Sequence, residues 1–176
     1  MLSRSLLMLL LAGPALASTA LQMDVPSLTR AASEVVRARV IGTRSAWTED
    51  HRRIVTFVEL EVLETWKGAP RTRLTVLQFG GEVDGIGQQV SGVASLDSGQ
   101  EVVVFVERQG PIHRVVGLAQ GVYRVERQTA AEDARAVPAA LDGLELVAPR
   151  AGLLHPRRPL PLAELRDEVR AAAGRR

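Results

Sequence analysis

The sequence predicts a mainly β fold: a small closed or nearly closed barrel of about five to six strands, with a short N-terminal helix and an amphipathic C-terminal helix. Three observations lead there. Apolar and polar residues alternate at Val36–Val40 and again at Val58–Val62, the period of a half-buried strand. The run Val102-Val103-Val104-Phe105-Val106 is apolar throughout, as in a strand buried on both faces. Turn residues punctuate these segments, and little helical periodicity separates them.

Taken in chain order, the first segment is a leader. Leu6 to Ala12 form a short apolar run behind Arg4, followed by Gly13-Pro14 and the small residues Ala15-Leu16-Ala17. This is the layout of a secretory signal peptide with cleavage before Ser18. The run is too short for a bilayer core, which needs about 20 apolar residues, and no later stretch is long enough to span one. Residues 1–17 are therefore expected to be removed, which leads to the periplasm or the exterior of a bacterium.

Asp24 and Pro26 place a cap and a first turn at the head of a short helix over residues 24–33. In the first strand Val36, Ala38 and Val40 share one face, and Arg37 and Arg39 the other. Thr48 to Arg52 form a polar turn. The next strand runs from Arg53 to Trp66, with Val58, Leu60 and Val62 inward and Glu59 and Glu61 outward, and Lys67-Gly68-Ala69-Pro70 ends it. Leu74, Val76, Leu77 and Phe79 mark a third strand running into Gly80-Gly81. Glu101–Glu107 is the fourth, and residues 112–118 with 121–126 are expected to form a final hairpin. The barrel domain thus covers residues 18–127. Residues 128–160 read as an irregular tail packed on the barrel, with a short strand at Leu144–Val147. The closing helix spans 161–173, where Leu162, Leu165, Val169 and Ala172 fall in one sector; its mixed polar face suits docking onto the barrel, not a membrane surface.

Composition removes several function classes. The chain of 176 residues has 21 arginines, one lysine and 20 acidic residues, for a formal charge of +2, and no cysteine. Disulfide scaffolds and thiol catalysis are excluded. The basic isoelectric point reflects a small surplus of arginine, with few groups titrating near neutrality, so nucleic-acid binding is not expected.

Local chemical motifs are sparse. His51, His113 and His155 are far apart and belong to no metal-binding spacing, and Asp84 and Asp97 sit in segments too poor in acids for a calcium loop. His113 is expected on the outer barrel face and His51 in solvent. Ser91 lacks the glycine and helix of a nucleophile elbow, although a dispersed Ser–His–carboxylate set remains open. Gly85-Ile86-Gly87 lacks the lysine and helix of a phosphate loop. No cofactor, metal or catalytic residue is assigned.

The glycine-rich segment from Gly80 to Gly99 is the most unusual feature. Either it is a binding loop on a rigid barrel, or it is a bulged hairpin closing one end. Gly80, Gly81, Gly85 and Gly87 are its candidate binding positions, joined by Trp47 beside the charged turn. Trp66, at even spacing after Val62, is expected to cap the barrel core.

The segments Glu34–Val40, Ile54–Val62, Leu63-Glu64-Thr65-Trp66-Lys67-Gly68 and Asp97–Phe105 together resemble the netrin-like or tissue-inhibitor-of-metalloproteinase-like OB-fold modules of exported bacterial proteins. In these a VVxGxV strand, a strand ending in LKG and a GxxxxxF strand recur. Gly117-Leu118-Ala119-Gln120-Gly121 is similar to a segment of secreted bacterial proteins that carry the same Gly-Gly loop. The likeness covers roughly residues 33–126, mostly at strand ends and turns. It implies an OB-like barrel and a class dominated by binding modules. Animal inhibitors of this fold place an N-terminal cysteine on the catalytic zinc; without cysteine, that chemistry does not carry over. The expectation is a non-catalytic exported module whose partner is a protein or envelope component. An inhibitor or accessory factor of an exported protease, or a hydrolase with a dispersed site, is the alternative.

Overall fold

The computed structural model describes residues 18–127, 133–148 and 156–174; the expected leader, His155 and part of the expected tail lie outside them. Strand β1 is Ser18–Leu21, and helix α1 is Val25–Ala31. Asp24 caps α1 by accepting from the Ser27 backbone N–H at 2.8 Å, as its side chain is suited to do. At the other end the chain's one lysine replaces the missing partners of the last carbonyls. Lys67 Nζ donates to the carbonyls of Thr29 at 2.6 Å and Ala32 at 2.5 Å, and burial pushes its pKa down. A compact ammonium with three donors serves two carbonyls at once.

Five strands close a ring. β2 (Glu34–Trp47) pairs antiparallel with β3 (Ile54–Lys67), and β3 with β4 (Arg73–Phe79). After the glycine-rich segment, which holds the small hairpin β5 (Gly81–Val83) and β6 (Ile86–Gln88), come β7 (Glu101–Gln109) and β8 (Ile112–Val115). β7 pairs antiparallel with β2 and with β8, and β8 meets β4 in parallel at one register pair, Val76 with His113. Counting these five strands in chain order, the ring runs 1-2-3-5-4-1, the OB-like connectivity. Stepping around it from Thr43 through Val58, Val76, His113 and Arg108 returns to β2 with an offset of about ten residues, so the strands tilt steeply, as closure of so few strands demands.

β7 is apolar without a break from Val102 to Val106 because both faces are covered there. Val102, Val104 and Val106 point into the barrel with Val36, Ala38, Val40, Val58, Leu60, Leu74 and Val76. Val103 and Phe105 point outward, under α1 and helix α2 (Leu162–Gly174). The inner face of α2 is Leu165, Val169 and Ala172, fully or almost fully buried, as the 3.6-residue spacing requires.

Beyond the ring, the structure departs from the sequence expectation in two places. The final hairpin does not form between its expected arms. Gly110, at φ 63°, turns β7 directly into β8. The chain then makes a 3₁₀ turn at Leu118–Gly121, and β9 (Val122–Glu126) settles on the same edge of β7, farther along. Gly117 and Leu118 both hold positive φ, and a Cβ on Gly121 would stand 2.3 Å from the Val116 carbonyl oxygen. Gln120, fully buried, accepts from Met23 N at 2.8 Å and donates to the Leu21 carbonyl at 3.0 Å, tying the N-terminal strand down. The Gly-Leu-Ala-Gln-Gly segment is therefore a structural clamp.

The second departure concerns the tail. Its described part contributes β10 (Arg135–Pro138), which extends the main sheet beside β9, and β12 (Leu160–Pro161) beside β10. β11 (Leu144–Val147), the short strand expected in the tail, forms as read and pairs in parallel with β1. Arg157 staples the last linker by donating to the carbonyls of Ala119 and Val122 while its guanidinium lies 5.1 Å from the Tyr123 ring centre. No helix among the described residues is long and apolar enough to cross a membrane.

Candidate functional site: the open end of the barrel

Toward its C-terminal end β2 changes character. The inward row Val36, Ala38, Val40 crosses a bulge at Ile41 and continues as Thr43 and Ser45, which oppose Val58 and Thr56 on β3. The interior thus passes from methyl groups to hydroxyls. β4 adds Gln78 opposite Thr56, and the glycine-rich segment folds over the opening with Gly80, Gly81, Gln88, Val90 and Val93. Together with Ser95 and Asp142 they enclose a cleft of about 440 Å³, within the range of ligand sites of roughly 300–1,000 Å³.

The hydrogen bonds of this cleft determine what it offers. Thr56 Oγ1 donates to the Gly80 carbonyl at 2.7 Å. Its proton is committed, so Ser45 Oγ, 2.9 Å away, is the donor between the two hydroxyls. Ser45 keeps lone pairs for a ligand. Gln88 Oε1 accepts from Ile54 N at 2.6 Å; that backbone N–H must meet an oxygen, so the Gln88 amide N–H groups are the ones left over. Gln78 Nε2 donates to the Ala94 carbonyl at 3.3 Å, leaving its Oε1 as an acceptor. Donors and acceptors alternate without a net cation, and one carboxylate, Asp142, stands on the exposed rim. Such a lining matches a neutral, hydrogen-bonding ligand surface and gives an anion no purchase.

The candidate glycines divide into two groups. Gly80 and Gly81 hold φ of 92° and 130° and seat the loop against the barrel. A Cβ on Gly81 would stand 2.3 Å from Thr56 Oγ1 and 2.4 Å from Ser45 Oγ; one on Gly80 would stand 2.7 Å from the Gln88 carbonyl oxygen. Gly85 and Gly87 belong to the β5–β6 hairpin and have open space around them. Asp84 and Gly85, both at positive φ, make its two-residue turn. The segment holds a hairpin folded across one end of the barrel, as the structural reading expects, and it covers the cleft. Trp47 lies at the end of β2, half-buried, with its ring 6.4 Å from that of His51; it does not line the cleft.

At the opposite end of β2 the barrel is plugged by charge. Glu34 shares a face with Val106 and points inward, its side chain 9% exposed. Arg71 Nη2 stands 2.6 Å from Glu34 Oε1, and His113 Nε2 stands 3.4 Å from the same oxygen. The second Glu34 oxygen is buried without a protein partner. The turn after β3 packs over this group so closely that a Cβ on Gly68 would lie 2.7 Å from Glu34 Cγ.

This corrects the expectation for His113: it is 12% exposed and faces inward, because its register partner Val76 does and because it shares a strand face with Val115, which packs on the inner core. Trp66 is also relocated. β3 carries bulges at Leu63 and Trp66 opposite β2, each reversing the in–out parity. Trp66 therefore packs in the outer core beneath the helices, donating from its ring nitrogen to Glu64 at 3.0 Å.

Ser91, His51 and His113 are not brought together. Ser91 lies against Gly143 near the cleft, His51 is exposed in its turn, and His113 is in the plug. Among the described residues no group of three or more histidine and acidic side chains is placed to hold a metal ion. Comparison with protein-family models gives no match, and comparison with curated proteins gives none either.

Proposed function

We propose that this chain is an exported, non-catalytic binding module that engages a protein or envelope component through the open end of its barrel. The observation that supports this most is the cleft. A rigid β wall presents Ser45, Thr56, Gln78 and Gln88 with hydrogen-bonding capacity left over, under a lid seated by Gly80 and Gly81. Binding sites commonly place a few fixed polar groups at the mouth of a barrel. The netrin-like resemblance adds a class in which binding is the usual task, and the leader adds the exported compartment.

Capture from the exported fraction of the source cell tests the reading. Wild type is compared with a variant carrying Ser45→Ala and Gln88→Ala, and separately with Trp47→Ala. One partner recovered by wild type and by Trp47→Ala, but lost with the cleft variant, is the expected result. Equal recovery by all three proteins would sink the cleft, and loss with Trp47→Ala alone would move the site to the charged turn. A captured protease would give the inhibitor or accessory reading precedence.

A further inference from the structure

The ring has one weak seam. β4 and β8 meet only at Val76 and His113. Beyond that pair, Leu77, Gln78 and Phe79 of β4 are paired with β3 on one side and, among the described strands, with none on the other. A cavity of about 260 Å³ opens in the gap, lined by Leu77, Phe79, Val93, Val115 and Leu118, with Arg114 and Glu107 as its charged members.

Arg114 is the unusual member. Its guanidinium lies 4.6 Å from the centre of the Phe79 ring. It forms no ion pair with any described residue, and its Nε is buried without a hydrogen-bond partner. The acid opposite it on β7, Glu107, instead accepts from the Gln109 side chain at 2.7 Å. The Phe79 face and partial exposure ease the Arg114 charge in part, and Glu107, which also lines the recess, accepts from Gln109, so the guanidinium keeps hydrogen-bonding capacity for an anion.

We propose that this seam captures the C-terminal end of an extended peptide. The peptide backbone adds to β4 along Leu77–Phe79, an apolar last side chain fills the cavity, and the terminal carboxylate meets Arg114. Three observations converge on that ligand. An open strand edge offers a ladder of backbone donors and acceptors, which selects an extended chain over a lipid. The apolar lining selects the last side chain. An unpaired arginine fork selects a carboxylate, which it can hold through two parallel hydrogen bonds. The cavity is smaller than the roughly 300–1,000 Å³ of drug-sized sites, which suits a chain end. The seam shares Gln78, Phe79, Val93 and Ala94 with the cleft, so a partner held at one reaches the other. The inference rests on the binding-module reading and names its ligand class.

The test titrates the purified protein with a pool of N-acetylated pentapeptides ending in leucine with a free carboxylate, and with the same pool amidated. Backbone amide shifts locate any binding. Saturable binding of the free-acid pool is expected, with shifts at Leu77–Phe79 and Val115–Leu118. Amidation and Arg114→Gln should each weaken it by about tenfold or more, the worth of a charge-assisted pair. Arg44→Gln, which removes an exposed arginine stacked on Phe57, should leave it unchanged. No saturable binding at millimolar peptide, equal affinity for both pools, or an unaffected Arg114→Gln variant would each overturn the proposal. Should Arg114→Gln fail to fold, the two pools on wild type still decide. Partner capture through the cleft with no peptide binding at the seam would overturn this inference alone and leave the binding-module reading standing.

Discussion

The two ends of the barrel are made from the same strands and finished in opposite ways. At the N-terminal end of β2, Glu34 is buried against Arg71 and His113 beneath the β3–β4 turn. At the C-terminal end, Ser45 and Thr56 spend one hydrogen bond on each other and keep capacity for something else. One end is stopped by a buried carboxylate set against Arg71 and His113; the other is lidded by a loop and left with free donors and acceptors. Buried charge tolerates no casual rearrangement, since an unpaired partner is penalised heavily. Neutral hydroxyls and amides exchange partners at low cost. The contrast separates a structural end from the proposed binding end, and substitutions at each should behave differently.

The largest effect is expected at the plugged end. Glu34→Gln keeps the shape but leaves Arg71 and His113 without their anion. Breaking a buried pair costs roughly 3–5 kcal/mol; with the Arg71 side chain 30% exposed, about 3 kcal/mol is expected, read from the midpoint of urea unfolding. A midpoint matching wild type would mean that the ions do not hold this end. Next comes the seat of the lid. Gly81→Ala forces a Cβ into Thr56 and Ser45 at φ 130°, for about 2 kcal/mol. Gly87→Ala meets open space and should stay within about 0.5 kcal/mol of wild type. If the two glycine variants are equally stable, the lid is not seated as described.

Much of the fold was legible because parity carries it. Val36, Ala38 and Val40 alternate with arginines, Val58, Leu60 and Val62 with glutamates, and β7 shows no alternation because helices cover its outer face. Parity also explains the failures. A bulge adds one residue and reverses in and out, and nothing in the residues around Leu63 or Ile41 announces one. Unbroken parity therefore turns Trp66 inward and leaves Thr43 and Ser45 out of the inward row. The one available signal was the alternation of Thr43 and Ser45 facing Thr56 across a predicted hairpin. His113 escaped because its orientation is set by the pairing of β8 with β7 and β4, a long-range property that no local pattern encodes.

A smaller effect separates the plug from the charges on the outer sheet. Arg37 stands 2.6 Å from both Glu64 and Glu101, and Arg127 adds a contact to Glu101 at 3.1 Å. Burial raises the Glu101 pKa, but hydrogen bonds from Arg127 and Arg37 and their charges outweigh it and hold the group below its ordinary 4.5. A carboxylate with a depressed folded pKa stabilises the fold above the unfolded value and loses that contribution as the pH falls through the folded one. Glu101→Gln should therefore cost about 1 kcal/mol at pH 7, and its difference from wild type should shrink as the pH drops below 4.5. A variant equally destabilised at pH 3 and pH 7 would show that packing, and not charge, is what Glu101 contributes.

The smallest change in stability is expected where the largest change in binding is proposed. Ser45→Ala removes the donor to Thr56 and an acceptor facing the cleft. Thr56 keeps its own donation to Gly80, so the lid stays seated and no buried donor is orphaned. The site is half open to solvent, and water replaces the lost hydroxyl. Stability should fall by less than about 1 kcal/mol, the net worth of an ordinary hydrogen bond. Partner affinity should fall more, because a ligand seated in the cleft excludes the water that compensates in the free protein, leaving its matching group unpaired. At the plug the order is reversed, and Glu34→Gln should unfold the protein more readily while the surviving folded fraction still binds. If Ser45→Ala lowers stability and affinity by equal amounts, or Glu34→Gln weakens binding in the folded fraction, the two ends do not divide the work between structure and recognition.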